Sequence, residues 1–478
     1  MVALINEHRA MSDQQSAISN PRPETRDPKP ETLIPHSAFR NPSSGSWILT
    51  PVSLFLVLFL LLLLTFHRNL TWKDDFTLWM DVAQKSPWKL RGMVNLDQSE
   101  YEQGGRAEKA LSRFLKLSSA YDIAEIHNNA GMIYHKMGNL MMAEYYYGKA
   151  LKVKPDHPKI LYNLGNLYID KGLIDKGIET YHEALKVNSN LWQVRNNLAT
   201  AYGKKGQVEE AIKEYQAAIR IMPDYPDPYN NLGVIYKDRK EFDLAEKYFS
   251  NAIRLKPDYA ESHYNLGSVY LIQKKPSLAA KELQEAIRLK PDYTDAHFTL
   301  ALVCRDLQKF NEAIQHYRET IRLDPQYYQA YFNLGNLYFD RGLLDDAMSM
   351  YEKTFSVKPD CAEAENGKGN VYLRKNELDR AIASFKRAVQ KKPDYAEAYI
   401  NLGAAYKSEG QLNLALAQYK KTIKVDPARV EAYFNLGNTY RALGRKKEAI
   451  ESYQIFINVW KGDAAYIMQA REAMEEMK

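Results

Sequence analysis

The sequence predicts an all-α fold: a solenoid of about ten helix–turn–helix units of 34 residues, preceded by one transmembrane helix. Three observations carry that prediction. Prolines at 155, 223, 257, 291, 325, 359, 393 and 427 are separated by 34 residues or twice 34. Small residues and tyrosines recur in the same register. Residues 47–66 carry no charge at all. Composition agrees: of 478 residues 45% are apolar and 26% charged, which excludes a wholly disordered chain. With 65 basic and 59 acidic residues the net charge is +6. So slight a balance does not suggest a nucleic-acid binder, which usually shows a concentrated basic face. Two cysteines, Cys304 and Cys361, exclude a disulfide framework and a cysteine-built zinc site.

Taken in order, residues 1–46 read as a disordered tail. They hold Pro21, Pro23, Pro28, Pro30, Pro35 and Pro42 among serines and scattered charges, with no helical or strand period. Residues 47–66 then form a transmembrane helix. Twenty residues at about 1.5 Å each reach about 30 Å, the thickness of a bilayer's hydrocarbon core. A cleaved signal peptide would need a shorter apolar stretch and small residues at a cleavage site. Instead His67 and Arg68 follow, and the stretch begins far from Met1. Lys29 and Arg40 on one side balance Arg68, Lys73 and Lys85 on the other, so charge does not decide the topology.

Residues 67–89 read as a juxtamembrane collar. Asp74 caps a short helix whose one face holds Phe76, Trp79, Val82 and Ala83, and Ser86-Pro87 ends it. Trp72 and Trp79 fit the membrane interface or simply anchor the collar helix. Arg68-Asn69-Leu70-Thr71-Trp72, Leu78-Trp79, Pro87, Arg91 and Asn95-Leu96 resemble the segment between the last membrane helix and the repeats in the transmembrane and tetratricopeptide-repeat-containing family, related to protein O-mannosyltransferases. That resemblance implies repeats on the periplasmic or lumenal side of a single-pass membrane protein. It makes Asn69-Leu70-Thr71 a glycosylation sequon in a eukaryotic host. The family's multi-spanning catalytic portion has no counterpart here.

Residues 90–123 read as a degenerate cap with Leu96, Tyr101, Ala110 and Phe114 near repeat register. Ten units follow over 124–463, with Ser189 and Lys461 in the slots where proline is skipped. The eighth position is always glycine or alanine, from Gly131 to Gly437, and so is the twentieth, from Ala143 to Ala449. Such residues suit a close crossing of two helices. The eleventh is tyrosine in nine units, with Cys304 the exception, and the twenty-fourth is aromatic except at Leu283. These two positions hold sixteen of the 34 tyrosines. The ring fills the gap between helices while the hydroxyl reaches a polar partner. The pattern resembles the tetratricopeptide repeat family, which implies a right-handed superhelix of stacked hairpins. Residues 464–478 close the array as a capping helix with Ile467, Ala470, Met474 and Met477 on one stripe.

In that family the first helix of each unit lines the inner curve. Its sixth position carries Asn129, Asn163, Asn197, Asn231, Asn265, Asn333, Asn401 and Asn435. A carboxamide donates and accepts at once, so this row can hold the backbone of an extended peptide without reading its sequence. It is similar to the asparagine ladder of O-linked N-acetylglucosamine transferase. The same row can equally serve hydrogen bonding within the repeats. Asn166, Asn336, Asn370 and Asn438 form a patchier row at position nine. Unit eight breaks the pattern at Glu365-Asn366-Gly367-Lys368-Gly369; two mid-helix glycines cost roughly 1 kcal/mol each, which predicts a soft joint.

No His-Glu-x-x-His spacing and no phosphate loop occurs. His263 and His297 sit at position four, where Tyr229, Tyr331 and Tyr399 stand in other units, and read as packing residues. Cys304 replaces a core tyrosine and reads as inert. The expectation is therefore a membrane-anchored, non-enzymatic scaffold. It binds a protein or extended peptide in its concave groove, with no cofactor, metal, nucleic acid or small-molecule substrate. Two alternatives stand beside it: the non-catalytic repeat component of a protein-glycosylation system, and an assembly scaffold of an envelope or secretion complex.

Overall fold

The computed structural model describes residues 122–477, together with 111–112, 114–117, 59, 60 and 63. The chain divides into two units, residues 1–93 and 94–478. In the first, Phe59, Leu60 and Leu63 are helical and exposed. The expected tail, collar and the rest of the 47–66 stretch lie outside the described residues.

The second unit is all-helical among the described residues. Its helices are α1 (Ala124–Lys136), α2 (Leu140–Val153), α3 (Pro158–Asp170), α4 (Ile174–Val187), α5 (Trp192–Lys204), α6 (Val208–Ile221) and α7 (Pro226–Asp238). Next come α8 (Phe242–Leu255), α9 (Ala260–Ile272), α10 (Pro276–Leu289), α11 (Thr294–Asp306), α12 (Phe310–Leu323), α13 (Tyr328–Asp340) and α14 (Leu344–Val357). The array ends with α15 (Ala362–Arg374), α16 (Leu378–Lys391), α17 (Ala396–Ser408), α18 (Leu412–Val425), α19 (Glu431–Ala442), α20 (Lys446–Val459) and α21 (Ala464–Glu475). Odd and even helices pair as hairpins, and each hairpin packs on the next.

One expectation is corrected here. None of these helices exceeds 14 residues, and among the described residues no helix is long and apolar enough to cross a membrane. A span needs about 20 consecutive apolar helical residues. The reading as a single-pass membrane protein is therefore set aside.

The repeat register explains the hairpins. Position fifteen takes a left-handed conformation in every unit: six glycines from Gly138 to Gly444, and Lys240, Lys274, Gln308 and Asn376 at φ between 57° and 62°. This turn lets the next amide bond back to the carbonyl of position eleven, as Asn139 does to Tyr134 at 2.9 Å and Arg445 to Tyr440 at 2.9 Å. The rings at position twenty-four form the core: Tyr147, Tyr181, Phe249, Tyr317, Tyr351, Phe385, Tyr419 and Tyr453 are fully buried. Each contributes roughly 2 kcal/mol of burial.

The small eighth position faces that ring rather than the partner helix's backbone. A Cβ on Gly165 would lie 2.5 Å from Cε1 of Tyr181, and one on Gly437 would lie 2.6 Å from Cε1 of Tyr453. At the ends, Phe114 and Leu117 are buried ahead of α1, and Ala470, Ala473 and Met477 close the array after α20.

The soft joint expected in unit eight is not what the structure builds. Helix α15 is continuous, and Gly367 is buried. A Cβ there would meet the Tyr351 ring at 2.6 Å. The glycine is a packing requirement of its neighbour, so its helix-propensity cost is offset by ring burial.

Candidate peptide-binding face

First helices of successive hairpins touch one another, as α7 does α9 and α15 does α17, and so form one continuous face. The position-six asparagines lie along it. Asn129 and Asn163 are buried; Asn197, Asn231, Asn265, Asn333, Asn401 and Asn435 are half-buried.

Most of these amides are engaged by the fold. Nδ2 of Asn163 donates to Oδ1 of Asn128 at 2.9 Å, Asn265 to Asn230 at 3.3 Å, and Asn401 to Asn366 at 2.9 Å. Asn197 donates to the Tyr162 hydroxyl at 3.2 Å and to Asn166 at 2.9 Å. Four of these links join position six to position five of the preceding unit, 35 residues earlier, and the Asn197–Asn166 bond joins it to position nine. The row therefore clasps neighbouring hairpins at four of its eight asparagines, each opposite a polar position five. Asn129, in the first unit, accepts from its neighbour Asn128 at 3.3 Å.

Where position five of the preceding unit is apolar, the clasp is missing. Asn333 follows Phe298, and its amide turns to the Gln329 carbonyl one helical turn back at 2.8 Å. Asn435 follows Ile400, and its side chain has no partner among the described residues. Asn231 is a third case. Position five of its preceding unit, Asn196, is polar, but the two side chains form no clasp: Asn231 lies close to the Tyr215 hydroxyl, and Oδ1 of Asn196 is buried without a partner among the described residues. So the structure separates eight equivalent asparagines into clasps and amides turned from their neighbours. Sequence reasoning missed this split, although an apolar residue 35 positions upstream marks Asn333 and Asn435.

The position-nine row has its own structural role. The Tyr181 hydroxyl donates to Asn166 at 2.6 Å, Tyr351 to Asn336 at 2.8 Å and Tyr453 to Asn438 at 2.7 Å. Thr200 and Tyr215 share the same link at 2.8 Å. Each such asparagine spends one oxygen on the core ring and keeps its NH2 group for other contacts.

In several units position four ties the hairpin to the loop before it. Tyr229 donates to the Pro223 carbonyl at 3.0 Å, and Arg195 to the Ser189 carbonyl at 3.1 Å, in the slot without proline. His263 and His297 do the same to the carbonyls of Pro257 and Pro291, both at 3.0 Å. Their other ring nitrogens reach across the hairpin, His263 to Glu282 at 2.7 Å and His297 to His316 at 3.1 Å. Among the described residues no group of three or more His, Cys, Asp or Glu side chains could hold a metal ion. Cys304 is buried and free, and burial with the nearby Glu312 carboxylate pushes its thiol up to about 11.

Family models of the tetratricopeptide repeat match residues 124–157, 158–191, 226–259, 260–293, 328–361 and 431–461. A further model described as TPR repeat matches 201–239, 301–342, 369–410 and 405–444. Among solved structures the chain is similar to YrrB, a TPR protein with an unusual peptide-binding site, at 23% identity over 38% of this chain and 95% of that one, TM-score 0.35. It is similar to MamA at 28% identity over 35% and 97%, TM-score 0.33. It is also similar to yeast Tom70 at 14% identity over 83% and 96%, TM-score 0.42. No curated protein matches the sequence.

Proposed function

The chain belongs to the tetratricopeptide repeat family, and from that premise we propose that it holds an extended polypeptide segment along the face of its first helices. The fold is of a kind that typically serves as a non-catalytic protein-interaction scaffold. The observation that carries the peptide reading is the split of the asparagine row. Asn435 has no side-chain partner among the described residues, and among them Asn333 bonds only within its own helix. A carboxamide released in this way can donate to a peptide carbonyl and accept from a peptide N–H. The clasped asparagines, Asn163, Asn197, Asn265 and Asn401, hold the curvature of the face rather than the ligand.

The test is site-specific photocrosslinking in the native host. A crosslinking residue at Gln329, exposed on α13 one turn before Asn333, is compared with one at Lys353, exposed on α14. Adducts of defined mass from Gln329 and none from Lys353 support the reading. Equal labelling from both, or adducts from Lys353 alone, moves the working surface to the second helices.

A further inference from the structure

In several hairpins position four of the first helix meets position twenty-three of the second. Arg195 bonds Glu214 at 2.6 Å, and His263 bonds Glu282 at 2.7 Å. The rings of Tyr229 and Tyr248 lie 6.4 Å apart, centroid to centroid. In unit six the same two positions hold His297 on α11 and His316 on α12, and their Nδ1 atoms lie 3.1 Å apart.

The Pro291 carbonyl decides which nitrogen of His297 is free. A carbonyl oxygen only accepts, so Nε2 of His297, 3.0 Å away, carries the hydrogen. Neutral His297 therefore presents a lone pair at Nδ1 toward His316. His263 differs, because a carbonyl and a carboxylate together require a hydrogen on each of its ring nitrogens.

Two nitrogens on one tetrahedral zinc ion, each at about 2.0–2.1 Å, stand about 3.3 Å apart. The separation of the two Nδ1 atoms is close to this and corresponds to an angle of about 95–100° at the ion. A bond from Nε2 to a backbone carbonyl is the outer contact that orients a metal-bound imidazole and raises its basicity. His297 is buried, which fixes one ligand, and His316 is half-buried, which leaves an approach from solvent. The carboxylates flanking His316 on α12 are engaged elsewhere, Glu312 with Lys309 at 3.3 Å and Glu319 with Arg322 at 2.6 Å. The protein therefore offers two ligands here, and among the described residues no third His, Cys, Asp or Glu completes a set.

We propose that Nδ1 of His297 and Nδ1 of His316 together bind one divalent transition-metal ion of the zinc or nickel type, for which imidazole is a suitable ligand. On binding, the hydrogen that His316 donates from Nδ1 moves to its Nε2, so both rings stay neutral. Water fills the remaining coordination positions. The bound ion pins α11 to α12 within one hairpin. The site goes beyond the peptide reading and uses none of its asparagines.

The test is isothermal titration of the full chain with Zn2+ at a pH of about 7.5, where ordinary imidazoles are neutral. His297→Tyr installs the residue that Tyr229, Tyr331 and Tyr399 place at position four, and it keeps a donor for the Pro291 carbonyl. His316→Gln removes the other ligand. Each variant should bind one equivalent of Zn2+ at least about tenfold more weakly than the unaltered chain. Glu282→His rebuilds the pair with His263 and should add a second equivalent of similar affinity. Should either loss variant fold poorly, the gain in Glu282→His decides. Unchanged Zn2+ binding in His297→Tyr or His316→Gln assigns the metal to other histidines and overturns the site. So does an unaltered chain that binds no Zn2+, or a Glu282→His chain that binds no more than the unaltered one.

Discussion

The Tyr351 hydroxyl donates to Oδ1 of Asn336 at 2.8 Å, while Tyr317, one unit earlier, buries its hydroxyl with no partner because Leu302 stands where the asparagine would be. Two chemically identical substitutions should therefore diverge. Tyr351→Phe leaves Asn336 without its donor and costs about 1 kcal/mol. Tyr317→Phe removes an unsatisfied polar atom and is neutral or stabilising. Urea midpoints of the two variants check this; equal losses would contradict the pairing of positions nine and twenty-four.

The glycines divide in the same manner. Gly437→Ala drives a methyl into the Tyr453 ring, and overpacking of that kind costs roughly 1–3 kcal/mol. Gly148, within α2, has nothing within 4 Å of a built Cβ, so Gly148→Ala gains up to about 1 kcal/mol of helix propensity. Thermal melts of the two variants should move in opposite directions.

The period of 34 made the helices, the small eighth position and the aromatic core legible from the sequence, because each is set within one unit. What was not legible depends on pairs of units. Whether Asn401 clasps or Asn435 stays open is decided by Asn366 and Ile400, each in the unit before. Gly367 reads as weak helix when it is counted alone. It becomes a packing residue only when the Tyr351 ring of the previous hairpin occupies the space of its missing side chain. The position-nine asparagines looked like a faint ligand row. Asn166, Asn336 and Asn438 serve the core through Tyr181, Tyr351 and Tyr453, but Asn370 shares its unit with Phe385, so no pairing of the two positions marked that role in the sequence.

The histidines predict a pH dependence of opposite sign in adjacent units. Burial acts to lower the pKa of His263, but Glu282 and the Pro257 carbonyl outweigh it, and the net value is raised. Its contribution to stability is full below the ordinary histidine value and is lost as pH rises through the raised one. His316 is lowered by burial and then by His297. Its contribution is full above the ordinary value and is lost as pH falls through the lowered one. His316→Glu gives His297 the carboxylate that His263 already has. Relative to the unaltered chain, this variant should gain melting temperature as pH drops from about 7.5 to about 5.5. A constant difference across that range would contradict the assignment.

Cys304 and Cys361 are buried, and burial is the leading cause that raises both thiols. Iodoacetamide at a pH of about 8 should alkylate the native chain roughly a hundredfold more slowly than the denatured one. Comparable rates would mean that the core of the middle hairpins opens on the labelling timescale.

The peptide face is tested most directly by comparing two double variants for affinity to a labelled peptide of the sequence crosslinked at Gln329. Asn333→Ala with Asn435→Ala removes the two amides that no neighbouring hairpin holds. It should weaken binding about tenfold and leave the melting temperature unchanged. Asn163→Ala with Asn401→Ala removes two clasps, and should lower the melting temperature while affinity changes little. If the first pair binds as well as the unaltered chain, or if both pairs lose affinity only in step with stability, the asparagine row is internal scaffolding and does not grip a ligand.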